Sequence, residues 1–175
     1  MKLIVCLGNY PKEYDLTRHN VGFFIGNFIR DEYNFDDWKE DKKLICNITR
    51  GSLFSKDCLI IKPNTYMNNS GDSVAKVVNF YKIKPCDIVV IHDEIDLPFG
   101  IVKTTNSRNS AGHNGVKSIN NVVKEVYNRV RIGVGRPQNA DYDVSDYVLG
   151  KFTKEEQEKL QSIAEQSVLT IKSLF

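Results

Sequence analysis

The side chains best equipped for chemistry gather early in the chain. Asn9, Tyr14, Arg18, His19 and Asn20 follow the apolar run Leu3-Ile4-Val5-Cys6-Leu7 and precede an amphipathic stretch that begins at Val21. That placement predicts a strand-to-helix loop rich in hydrogen-bonding and proton-accepting groups. The chain has three histidines, His19, His92 and His113, and His19 borders this loop. Asp93 and Asp96 follow Ile88-Val89-Val90-Ile91, the most strand-like run in the sequence. A neutral imidazole takes a proton from water when a carboxylate fixes its tautomer and stabilises the imidazolium that forms. His19 with one of these carboxylates would be the base and orienter of a triad whose nucleophile is still to be found. Ser70 and Ser110 are available, but neither lies in a G-x-S-x-G elbow, so water is the more economical nucleophile. Attack on a carbonyl also needs donors for the oxyanion. Asn9, Asn68 and Asn114, each in an expected loop, offer amides for that task. A metal-centred alternative would use His19, His92, Asp93 and His113 as ligands. No H-x-x-E-H or H-E-x-x-H spacing supports it, and His92 and Asp93 would point to opposite faces of a continuing strand.

Holding these groups together requires an alternating chain. Residues 3–7 read as a strand buried on both faces. Val21, Phe24, Ile25, Phe28 and Ile29 recur at helical spacing and predict a helix over residues 20–32. Residues 33–42 are charged and irregular. Residues 44–49 and 58–62 suit a hairpin around a turn at 51–57, and Pro63 stops its ladder. Beyond the polar loop 64–71, Val74, Val77, Val78 and Tyr81 stripe a second helix, with Ser70 as its cap. Strands follow at 88–91, 101–105 and 130–134, with a helix carrying Val116, Ile119, Val122 and Val123 before the last. Thr153-Lys154-Glu155-Glu156 has the spacing of a capping box, and Leu160, Ile163, Ala164, Val168 and Ile171 line a final helix. The alternation predicts one α/β domain over residues 1–175, a three-layer α/β/α sandwich on a mixed, mostly parallel sheet. Ligands in such sheets bind beyond the carboxyl ends of strands. The polar loops 8–20, 64–71 and 92–96 all fall there.

Charge points to a partner. The 24 basic and 22 acidic side chains nearly cancel, but residues 97–136 hold seven Lys or Arg and one acid. A basic island of this kind suits a phosphate backbone held by charge and shape, the usual mode for duplex RNA. Lys103 and Thr105 share a strand face, Arg131 lies in the next strand, and Lys117 and Lys124 can stand on one side of their helix. The nucleotide motifs G-x-x-x-x-G-K-[ST] and strand-linked G-x-G-x-x-G are absent. Cys6, Cys46, Cys58 and Cys86 show neither C-x-x-C nor a metal-ligand spacing. Met1-Lys2 leads straight into a strand and no apolar run reaches bilayer length, so the expected setting is the reducing cytoplasm, with no membrane partner.

Several blocks, in order, resemble the bacterial-type peptidyl-tRNA hydrolase family over nearly the whole chain. They are Leu7-Gly8-Asn9, Tyr14, Thr17-Arg18-His19-Asn20-Val21-Gly22, Lys62-Pro63-Asn64-Thr65-Tyr66-Met67-Asn68, Ser70-Gly71, the run from His92 to Gly100, Gly112-His113-Asn114-Gly115, the run from Arg129 to Pro137, and Tyr147-Val148-Leu149-Gly150. The resemblance implies a cofactor-free, metal-independent esterase. It would cleave the bond between a peptide and the 3′ end of tRNA, recycling tRNA from abandoned translation. It implies that His19 is the proton acceptor, that Asp93 supports its basic form, and that Asn9 tells N-blocked from free aminoacyl-tRNA. Tyr14, Tyr66, Asn68 and Asn114, with Met67 beside them, would line the site for the tRNA terminus and peptide, and Arg131 would meet the 5′-phosphate. The expected partner is peptidyl-tRNA alone, bound by a monomer at its acceptor end and phosphate backbone.

Two rivals stay open: an RNA-binding relative that has lost catalysis, and a metal-dependent hydrolase. The chain also departs from the family in three places. Gly8-Asn9-Tyr10-Pro11 stands where the family usually reads Gly-Asn-Pro-Gly, which changes the turn that presents Asn9. Thr105 occupies a position that is basic in some relatives, leaving Lys103 to substitute on the same face. The loop 106–111 is poor in glycine, which bears on its mobility.

Overall fold

The computed structural model describes residues 1–139 and 141–175. Its strands are β1 (Lys2–Cys6), β2 (Lys39–Asp41), β3 (Cys46–Leu53), β4 (Lys56–Pro63), β5 (Ile88–Glu94), β6 (Val102–Thr105) and β7 (Asn128–Gly133). They form one sheet of order β2-β3-β4-β1-β5-β7-β6. β1 pairs in parallel with β4 and β5, and β5 with β7; the remaining pairings are antiparallel, so only β3 and β6 oppose the other strands. Helices α1 (Val21–Glu32), α2 (Ser70–Tyr81), α3 (Asn114–Val122), α4 (Val144–Leu149), α5 (Lys154–Gln157) and α6 (Leu160–Lys172) complete the chain.

Alternation along the strands splits the apolar residues between two faces. Ile4, Cys6, Ile60, Ile91, Val130 and Ile132 face one core, shared with Ile25 and Ile29 of α1 and Ile163, Val168 and Ile171 of α6. Leu3, Val5, Leu7, Leu59, Ile61 and Val90 face the other, with Val74 and Val77 of α2 and Val116 and Ile119 of α3. This is the expected α/β/α sandwich. β1 sits between β4 and β5, and the chain leaves β1 for α1 on one face and β4 for α2 on the other. The order of strands therefore reverses at β1, and a crevice opens beyond its carboxyl end.

Several local readings change. The charged stretch 33–42 contributes the edge strand β2, whose residues are largely exposed; an edge strand needs no apolar alternation and charge protects it from further pairing. The β3–β4 hairpin turns on two residues, Phe54 (φ 51°) and Ser55 (φ 62°), inside the broader turn expected at 51–57. Two positive φ values mark a primed turn, usually signalled by Asn-Gly. Here the Phe54 ring stacks edge-on with Phe175 at 6.3 Å, which also places the chain's last residue. Ser70 does not cap α2: it is the helix's first residue, and its hydroxyl donates to Met67 O at 2.8 Å. α3 ends at Val122, which is exposed, so Lys124 stands outside the helix and not on a face shared with Lys117. The short helices α4 and α5 offer too few turns for an apolar stripe to declare itself. Among the described residues no helix is long and apolar enough to cross a membrane.

The start of α1 is pressed onto the sheet. A Cβ at Gly22 would lie 2.5 Å from Leu7 O and 2.7 Å from Ile91 O. Glycine lets the helix descend until His19, one turn earlier, overhangs the end of β5. Gly22→Ala is expected to lower stability by about 1–3 kcal/mol through overpacking, measured as a shift of the urea midpoint at unchanged m-value; a wild-type midpoint would show that the contact relaxes freely.

Candidate active site

β5 is buried from end to end and delivers His92, Asp93 and Glu94 at its carboxyl terminus. Asp93 is 3 % exposed. His19 lies in the tight turn Arg18–Asn20 that leads into α1, on one side of the sheet. Its Nδ1 lies 2.9 Å from Asp93 Oδ1 and 3.0 Å from Oδ2. A carboxylate only accepts, so Nδ1 carries the proton and Nε2 keeps a free lone pair. His113, the cap residue of α3, approaches from the other side, with Nε2 2.8 Å from the same Asp93 Oδ1. Its Nδ1 accepts from Val116 N at 3.3 Å, so its proton also lies toward Asp93. Two imidazoles thus donate to one carboxylate, with ring centroids 4.9 Å apart.

Burial opposes ionisation of Asp93, but the neighbouring His19 and His113, by charge and by hydrogen bond, hold its pKa well below the usual carboxylate value. Burial alone would depress the pKa of His19; the charge and hydrogen bond of Asp93 together outweigh it and raise the pKa above that of a free imidazole. His92 lies beneath, its pKa driven down first by burial and then by the neighbouring His113 and Arg129.

Asn9 is fixed on three sides. Its backbone N–H donates to Asn20 Oδ1 at 2.8 Å, and Asn20 Nδ2 returns a bond to Asn9 O at 2.9 Å. Met67 N donates to Asn9 Oδ1 at 2.8 Å. With Oδ1 occupied, Nδ2 is the end that remains to donate into the cleft. At the Tyr10-Pro11 departure, Pro11 precedes a tight turn at Lys12–Tyr14, and Tyr10 N bonds Thr65 O at 3.1 Å. The two loops are laced together at the position where the turn differs from the family's.

A cleft of about 560 Å³ opens above these groups. Asn9, Tyr14, His19, Tyr66, Met67, Asn68, Asp93 and Asn114 line it, so of the site residues implied by the resemblance only Arg131, with its suggested companion Lys103, stays outside. Tyr14 and Tyr66 meet edge-on at 6.4 Å on its rim. Lys103 and Arg131 do not line it. They face each other across β6 and β7, on the sheet's far edge, with Arg131 Nη1 3.6 Å from Glu94 Oε2. Two features of the site escaped sequence reasoning. His113 was among the three histidines, but nothing in its spacing shows that it shares Asp93. Val144, Ser145, Val148 and Leu149 of α4 form one wall of the cleft. That wall is fastened to the His19 turn through Arg18, whose N–H donates to Gly150 O at 3.0 Å and whose guanidinium bonds Glu156 at 2.8 Å.

His19, Asp93 and His113 place possible ligand atoms within 4.8 Å of one another. To bind a metal through Nε2, His113 would have to move its proton to Nδ1, which already faces the Val116 N–H. The set suits two hydrogen bonds to one carboxylate and does not suit a metal. His92, the fourth residue of the metal alternative, is turned away, with Nδ1 bonded to Asp93 O at 2.7 Å.

Residues 3–175 match the family model described as peptidyl-tRNA hydrolase. The peptidyl-tRNA hydrolase of Rickettsia africae (strain ESF-5) is 49% identical over 158 residues, which cover 90% of this chain and 84% of that protein. Its counterpart in Rickettsia bellii (strain OSU 85-389) is 44% identical over 175 residues, covering 100% and 91%. The crystal structure of peptidyl-tRNA hydrolase from Acinetobacter baumannii aligns with a TM-score of 0.91 at 36% identity, over 99% of this chain and 88% of that one.

The lowered Asp93 pKa has a consequence for stability. The stabilisation it reports is present above the ordinary carboxylate value of about 3.9 and is lost as pH falls through the lower folded value. Urea titrations from pH 7 to pH 3 should therefore show wild type losing stability more steeply than Asp93→Asn below about pH 4. Parallel curves would contradict the assignment.

Proposed function

The chain belongs to the peptidyl-tRNA hydrolase family, and on that premise we propose how its residues 1–175, acting as one domain, carry out the hydrolysis. It is a hydrolase of peptidyl-tRNA. The observation that carries the reading is the Asp93–His19 bond, which leaves His19 Nε2 as a base at a cleft lined by Asn9, Asn68 and Asn114.

In this reading His19 Nε2 takes a proton from water, and the hydroxide oxygen attacks the ester carbonyl carbon joining peptide to terminal ribose. Asp93 stabilises the imidazolium. The carbonyl oxygen becomes an oxyanion within reach of the asparagine amides, where preorganised donors act most strongly. Collapse breaks the bond to the ribose oxygen, which takes the proton back from His19. The products are tRNA with a free terminal hydroxyl and a peptide carboxylic acid, which loses its proton to solvent to become the carboxylate.

Asn9 supplies the discrimination. Its Nδ2 can donate to the carbonyl of an acylated amino group, but an unblocked α-ammonium has only donors and finds no acceptor there. The exposed Tyr66, edge-on to Tyr14, offers a surface for a nucleobase of the acceptor end,. Lys103 and Arg131 lie outside the cleft and would meet phosphate elsewhere along the tRNA, the contact that sets affinity without reading sequence. Recycling of tRNA from abandoned translation places the protein in the cytoplasm.

The test compares N-acetyl-aminoacyl-tRNA with free aminoacyl-tRNA. Release is expected from the blocked substrate only, with His19→Ala lowering kcat at least about 10²-fold, as loss of a general base does. Equal cleavage of both substrates would remove the role given to Asn9. A near wild-type rate in His19→Ala would overturn the mechanism.

A further inference from the structure

Arg129 is 2 % exposed, and no carboxylate bonds to it among the described residues. Its Nη2 donates to two loop carbonyls, Ser107 O and Asn109 O, each at 2.8 Å. Its Nη1 lies 3.3 Å from His92 Nε2. A guanidinium has no acceptor, so His92 Nε2 is the accepting nitrogen and His92 Nδ1 carries the proton. That proton is donated to the backbone carbonyl of Asp93 at 2.7 Å. The His92 ring is thereby fixed in one tautomer, and it packs edge-on against His113 with centroids 4.8 Å apart. Beyond the anchored carbonyls the chain reverses through Ala111 (φ 46°) and Gly112 (φ 85°) and emerges as His113.

We propose that Arg129 is a positioning residue for hydrolysis: its guanidinium joins the His92 ring to the 107–109 stretch and so sets His113 against the carboxylate of Asp93. Neither Arg129 nor His92 lines the cleft. Both act through His113, whose N–H shares Asp93 Oδ1 with His19. If the His92 ring turns, the His113 donor packed against it withdraws, and the carboxylate orienting His19 is held from one side only. The glycine-poor loop is thus a clamped support. A second guanidinium, Arg108, grips it from outside, donating to Asn120 O at 2.7 Å, Val123 O at 2.6 Å and Glu125 O at 2.9 Å. Arg108 ties the loop to the end of α3 and makes no bond to His92, so it separates tethering of the loop from positioning through the ring.

The experiment measures kcat and KM with N-acetyl-aminoacyl-tRNA for wild type, Arg129→Lys, His92→Phe and Arg108→Ala. Arg129→Lys keeps the charge but loses the fork; His92→Phe keeps a packed ring but loses both of its hydrogen bonds. Both are expected to lower kcat about 10–100-fold, the scale of a displacement near 1 Å, with KM changed less than about threefold. Arg108→Ala is expected to keep kcat within about twofold. Should one of the first two variants fail to fold, the other decides. Wild-type kcat in either folded variant overturns the proposal, as does an equal fall in Arg129→Lys and Arg108→Ala. The inference rests on the assignment of His19 as base, and His19→Ala in the same series keeps the two apart. Activity surviving there sinks that assignment, whereas full kcat in Arg129→Lys sinks only the role of Arg129.

Discussion

One oxygen atom, Asp93 Oδ1, accepts an N–H from His19 on one side of the sheet and from His113 on the other. An ionised carboxylate buried to this degree is costly unless its lone pairs are filled. The two imidazoles fill them, and Asp93 in turn fixes which nitrogen of each ring carries the proton. His19 is left with a free Nε2, and His113 is committed at both nitrogens, one to Asp93 and one to the first turn of α3. The same pair of bonds therefore makes a buried charge tolerable and divides the labour between two histidines: one is free to move a proton and the other is held as a donor.

The arrangement depends on the topology. Because the strand order reverses at β1, helices on opposite faces begin beside the same strand end, and each brings one imidazole. Gly22 lets α1 settle onto the ends of β1 and β5. On the other face Gly71 lets α2 approach α3 closely: it faces the Ser118 carbonyl, and its N–H donates to Ser118 Oγ at 2.8 Å. Asn9 is drawn in by Asn20 and Met67, so the turn carrying His19 and the loop carrying Asn68 share one hydrogen-bonded strut. Beneath them the His92–Arg129 pair continues the polar cluster into the sheet.

Much of this was legible in the sequence because it is local. The run from Ile88 to Ile91 is the most strand-like in the sequence, and a strand continuing through it sends His92 and Asp93 in opposite directions,. Periodicity likewise gave α1, α2 and α6. What escaped detection depends on contacts between distant positions. No spacing reveals that His113 shares an oxygen with a histidine 94 residues earlier. The wall formed by α4 is held by Arg18 across more than a hundred residues. Phe54-Ser55 makes a turn normally written in Asn and Gly, its positive φ values tolerated where the Phe54 ring packs against Phe175. Ser70 has the residue type of a cap, but the preceding tight turn claims its hydroxyl first.

The positions of the imidazole protons decide which nitrogen can accept, and nitrogen-15 NMR of the imidazoles reads them directly. In the free protein, at a pH above the raised pKa of His19, the account predicts His19 protonated on Nδ1 with Nε2 bare, and His113 protonated on Nε2. A proton on His19 Nε2 in that neutral form would contradict it, because the nitrogen meant to accept from water would already be occupied.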